Sequence, residues 1–133
     1  MTKYAILLGA AKTGFQQKKL TQFHDSLLSD GGFSEREIVV FPNGISEILL
    51  EYALNNAIEQ NNCVERHIKR ILLYICTISP VSDSDESIWL NGEEIRKSVI
   101  EHYASIFGDG FQVIYDSDRK EISELELGYE RIG

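Results

Sequence analysis

The sequence predicts a three-layer α/β/α sandwich built on a mainly parallel sheet of about four strands. Three observations carry that expectation. Four short apolar runs, at residues 4–10, 37–42, 70–77 and 111–116, have the length and continuity of strands covered on both faces. Segments with apolar residues at helical spacing lie between them, long enough to carry a chain from one parallel strand to the next. Glycine, proline and clustered polar residues punctuate the joins.

The first strand is YAILLGA at 4–10, closed by a small-residue loop, GAAKTG. Leu20, Phe23 and Leu27 then recur at helical spacing, and SDGGF ends that helix with glycines that tolerate left-handed backbone angles. The second strand, EIVVFP at 37–42, stops at Pro42, which cannot donate to a ladder. From Ser46 to about Gln60 the apolar positions Ile45, Ile48, Leu49, Tyr52, Ala53 and Ala57 predict an amphipathic helix with that set turned inward.

RILLYICT at 70–77 is the third and most apolar strand, followed by SPVSDSDES, an exposed loop, and SIWLNG, a short extended piece. Asn91, with Glu94 three residues on, fits the start of a third helix. That helix would present Ile95, Val99, Tyr103 and Ile106 on one face and end near Gly108. FQVIYD is the fourth strand, and the tail EISELELGYERIG alternates in part like a strand and in part reads as one or two helical turns.

At 133 residues the chain fits one domain, 1–133, long enough for a real core. Its 43% apolar and 26% charged residues are ordinary for a globular protein. The formal charge of -8 argues against nucleic-acid and anionic-membrane partners, whose ligands usually present basic surfaces. MTKYAILLGAAKTG carries an apolar run of strand length rather than the hydrophobic region of a signal peptide, and no stretch approaches the ~20 apolar residues of a membrane span. Cys63 and Cys76 have no metal-ligand spacing and are too few for a disulfide framework, so free thiols in a reducing cytoplasm are expected.

Open parallel sheets bind ligands beyond the carboxyl ends of their strands. GAAKTG is the first such place, but Lys12 precedes Thr13 and Gly14 rather than following the glycine of a phosphate loop, so a solvated lysine on a connection is the better reading. Asp116 and Asp118 point the same way from an extended segment, as oxygen ligands for Mg²⁺ or Mn²⁺ would, and Asp83, Asp85 and Glu86 of the preceding loop could join them. The plain alternative is that aspartates suit strand exits and stay apart in water. Cys76 closes a strand without a nearby histidine, since His24, His67 and His102 fall on expected helices or a helix end. An inert buried thiol is therefore the simpler expectation.

The layout of these motifs resembles the caspase-like cysteine peptidases, the group of caspases, metacaspases and legumain-like enzymes. Such chains open on a strand like YAILLGA. A helix and second strand follow with the pattern of LTQFHDSLLSDGGFSEREIVVF, with an aspartate in mid-helix and Gly-Phe before the strand. Their third strand ends in Ser-Gly-His-Gly and their fourth in Asp-Ser-Cys or Ala-Cys. Here Cys76, Thr77, Ile78 and Ser79 stand at the first of these, and Asp116, Ser117 and Asp118 at the second. The resemblance thus puts Ile78 at the position of the general base and Asp118 at that of the nucleophile. Isoleucine accepts no proton and a carboxylate does not replace a thiolate in acyl transfer. Family members usually continue with further strands, so the resemblance also implies an open sheet edge suited to pairing.

The resulting expectation is a catalytically inactive caspase-like domain that needs no cofactor and acts through a protein partner or as a homodimer, with Trp89 as a contact residue. The alternative is a flavodoxin-like α/β domain, an enzyme or ligand binder, that uses Asp116 and Asp118 with Asp83 and Asp85 around Mg or Mn.

Overall fold

Alternation along the central strands builds the fold. A computed structural model of the chain describes residues 3–10, 14–61, 68–78 and 80–117. Its elements are β1 (Lys3–Gly9), α1 (Gly14–Ser29), a 3-10 turn (Glu35–Glu37), β2 (Ile38–Phe41), α2 (Glu47–Asn61), β3 (Arg70–Thr77), β4 (Ser87–Leu90), β5 (Glu93–Arg96), α3 (Lys97–Phe107) and β6 (Phe111–Ser117). Four strands form one parallel sheet in the order β2-β1-β3-β6. The expected α/β sandwich with a parallel four-strand sheet is present.

Every second residue of β1 and β3 faces the same way, so two apolar layers form on opposite faces of the sheet. Ala5, Leu7, Leu72, Tyr74 and Cys76 meet Leu20, Leu27 and Phe33 on the α1 side. Ile6, Leu8, Ile71, Leu73 and Ile75 meet Leu50 and Leu54 of α2 and Ile100 and Tyr103 of α3 on the other. Each fully buried leucine or isoleucine in these layers contributes about 1.5–3 kcal/mol of transfer free energy. Near the carboxyl end of β1 the packing is tight enough to demand glycine: a Cβ on Gly9 would lie 2.5 Å from the carbonyl oxygen of Pro42.

Two expectations need correction. Residues 91–96 do not begin a helix. Asn91 (φ 53°) and Gly92 (φ 82°) form a tight turn, and β4 and β5 pair antiparallel across it. An Asn-Gly pair accepts two consecutive positive φ angles, as a two-residue hairpin requires. Glu94 accepts a hydrogen bond from Ser87 Oγ at 2.6 Å across the hairpin instead of capping a helix. Ile88, Leu90 and Ile95 seal the hairpin onto the α2–α3 layer, and α3 starts only at Lys97. In α3 the inward face is accordingly Ile100 and Tyr103, with Val99 and Phe107 beside them, while Ile106 points outward.

The inward face of α2 is the second correction. Its buried residues are Leu50, Leu54 and Ala57, whereas Ile48, Leu49 and Tyr52 are exposed. The helix EILLEYALNNAIEQN has apolar residues on two faces, and sequence periodicity alone selects the wrong one for its first half. Ser46 Oγ accepts the N–H of Leu49 at 3.3 Å, a side-chain cap at the expected start.

Candidate functional site

The order of the sheet reverses between β1 and β3, so the crevice of an open α/β sheet belongs at the carboxyl ends of these strands. Two arrangements meet there, one on each face.

On the α1 face lies a polar knot. Asp116 is the last but one residue of β6, beside Cys76 of β3 in the parallel register. Its Oδ2 accepts the Tyr74 hydroxyl at 2.8 Å, and its Oδ1 accepts Lys19 Nζ at 3.3 Å and the Ser117 N–H at 2.8 Å. Lys19 Nζ also donates to the carbonyl of Ser117, and Thr77 Oγ1 donates to that of Asp116 at 3.1 Å. Phe23 stacks on Tyr74 with ring centroids 4.0 Å apart. Burial, then the Asp116 charge, pushes the Tyr74 phenol far above its ordinary range, so it stays a neutral donor. Gln16, fully buried at the start of α1, accepts the Ala10 N–H at 2.7 Å and ties down the backbone leaving β1.

This knot uses the carboxylate that the sequence offers to a cation. Asp116 binds an ammonium, a phenol and an amide at once. Asp83 and Asp85 belong to the loop before the hairpin on the opposite face, where Asp85 Oδ2 accepts the Ser82 N–H at 2.8 Å. Asp118, Ser79 and Lys12 lie outside the described residues, as do Cys63 and His67. Among the described residues no three His, Cys, Asp or Glu side chains come together. Cys76 is fully buried beside Tyr74. His24 is held by Asp25 and Glu35 at the surface, and His102 packs edge-on against Tyr103.

On the other face β3 opens into a cleft of about 260 Å³ between its exit and the hairpin. Ile78, Pro80, Val81, Ile88 and Trp89 line it, with Asp85 on the rim. Ile78 is 47% exposed and Trp89 58%. Trp89 faces outward because Ile88 and Leu90, its neighbours in β4, are buried. Its cross-strand partner is Glu94, so indole and carboxylate share the outer face of the hairpin. Sequence reasoning found Trp89 and Asp85 but not the cleft they share, which depends on the hairpin. The Asn91-Gly92 pair was the signal for it.

A third feature shares this end of the sheet. Arg96 clasps the carboxylate of Glu47 with Nη2 at 2.7 Å and Nε at 3.2 Å, joining the starts of α2 and α3. The guanidinium holds the Glu47 carboxyl below its usual range. The arrangement can grip an apolar side chain and a charge, and among the described residues it supplies no base–nucleophile pair.

No family model matches the chain, and no curated protein matches it significantly.

Proposed function

We propose that this chain is a non-catalytic α/β domain of caspase-like layout that works by binding a protein, with the carboxyl end of its sheet as the docking face. One observation carries the reading. Of the seven exposed large hydrophobic side chains among the described residues, five belong to elements at that end: Ile48, Leu49 and Tyr52 in the first half of α2, Ile78 at the exit of β3, and Trp89 on the hairpin. The helix α2 begins where the chain returns from the carboxyl end of β2, which places its first turns there. Single exposed apolar residues are ordinary, but a concentration of them at a ligand-binding end marks an interaction surface. Ile78, where the resemblance places a general base, belongs to this apolar set and brings no proton acceptor.

The test has two arms. A photo-crosslinking residue is placed at position 78, 89 or 48, and at 106 on α3 as an exposed control, in cells that make the protein. Discrete adducts at the first three positions and none at 106 are expected, with no hydrolysis of fluorogenic peptides bearing Asp, Asn, Arg or Lys at the cleavage point. Turnover abolished by Cys76→Ala or Asp118→Ala, or equal labelling at 106, would overturn the reading.

A further inference from the structure

We infer that the cleft between the β3 exit and the hairpin receives an apolar side chain of a partner segment that carries a basic residue next to it. This rests on the docking role proposed above and specifies the chemistry of the partner. The floor and walls, Ile78, Pro80, Val81 and Ile88, offer an incoming side chain apolar surface, and about 260 Å³ holds one residue of leucine size with room for its backbone. Of the acids only Asp85 lies on the rim, and Asp83, Glu86 and Glu94 line an adjoining polar depression that shares Asp85 and Ser87 with the cleft. Asp83, Asp85 and Glu86 are exposed along the loop, and Glu94 stands opposite Trp89.

Two cations stand nearby. Arg96 is clasped by Glu47, and Lys97 Nζ donates to the carbonyl of Ser82 at 2.7 Å. Arg96 is balanced by Glu47, and Lys97, whose charge a carbonyl does not cancel, offsets one of the four acids Asp83, Asp85, Glu86 and Glu94. The surroundings of the cleft therefore keep a negative balance within a chain of formal charge -8. Ser87 Oγ fixes the Glu94 carboxylate at 2.6 Å, beside the indole. A cation over the face of Trp89 would be attracted by the ring and by this carboxylate together. A partner bearing acids would meet like charge instead.

Trp89 is the sole tryptophan, so its emission reports on the cleft directly. The intact chain is titrated with three synthetic peptides: leucine flanked by lysines, leucine flanked by glutamates, and serine flanked by lysines. Saturable change with the first, at least roughly tenfold weaker binding of the other two, and weakening by salt are expected. Asp85→Asn with Glu94→Gln should erase the preference for lysine over glutamate. Both residues are exposed, and asparagine keeps an acceptor for the Ser82 N–H, so the melting midpoint should hold. Equal binding of the glutamate peptide would overturn the basic chemistry and leave the docking face standing. An emission shift that follows protein concentration without peptide would make a second copy the occupant and overturn the inference. No response to any peptide, beside positive crosslinks at 78 and 89, would remove the cleft as the anchor.

Discussion

Both ring nitrogens of His24 face a carboxylate, Nε2 lying 2.8 Å from Glu35 Oε1 and Nδ1 3.2 Å from Asp25 Oδ1. A neutral imidazole donates only once, so this geometry suits the imidazolium, and the hydrogen bond to Glu35, then that to Asp25, raises the His24 pKa above its ordinary value. A group whose pKa is raised by folding stabilises the fold fully below its unfolded value, about 6.5, and loses that contribution as pH climbs through the higher folded value. The melting midpoint of the parent should therefore exceed that of His24→Gln at about pH 5, with the gap closing toward about pH 8. A gap that is constant with pH would mean that the ring acts by packing alone. The Asp116 knot shows what single residues conceal in a sequence. The acid at the strand exit was legible as a candidate ligand. Its ammonium partner, Lys19, is 97 positions away, and no local pattern links the two. Only the parallel register of β3 and β6 beneath α1 brings them together.

At the scale of elements the hairpin decides the character of the site, and its turn decides the hairpin. Asn91 and Gly92 both hold positive φ, and nothing lies within 4 Å of a Cβ placed on Gly92. Gly92→Ala thus tests backbone strain without a clash, and it should lower stability by about 1–2 kcal/mol in a denaturant titration. A change under about 0.5 kcal/mol, the ordinary scatter of surface substitutions, would show that the turn relaxes freely. Residues 91–94 carry two competing local signals. Asparagine followed three places later by glutamate is a helix start in one context, and Asn-Gly is a hairpin turn in another. The burial of Ile88, Leu90 and Ile95 on one side of two short strands settles the choice, and that is a tertiary fact. The strands of the main sheet were legible for the opposite reason. Apolar runs such as ILLYIC leave no competing period, because both faces are covered. Helix α2 stands between these cases: its length was legible, but two apolar faces gave no local reason to choose the inner one.

At the scale of the molecule, charge imbalance competes with ion pairing. Thirteen Lys and Arg stand against 21 Asp and Glu. Salt weakens the attractive pairs and the net repulsion alike, so the sign of its effect tells which is larger. The described Arg96–Glu47 and His24–Glu35 pairs each include a largely exposed partner, and pairs of that kind contribute about 0–1 kcal/mol. Lys19–Asp116 is more sheltered and is screened less. The repulsion, by contrast, acts among eight uncompensated charges spread along the chain, and unfolding relieves it by moving them apart. Raising NaCl from about 10 mM to about 150 mM shortens the screening length from about 30 Å to about 8 Å, from the span of a small domain to that of neighbouring side chains. Over this range the melting midpoint should rise, because the distant like-charge terms are removed and the short pairs persist. Association with a lysine-flanked partner should weaken over the same range, since that attraction is made between exposed groups. The two responses have opposite signs in one buffer series, which separates the charge that loads the fold from the charge that draws a partner. A midpoint that falls with salt would place the pairs above the repulsion and make the acidic surface a net stabiliser.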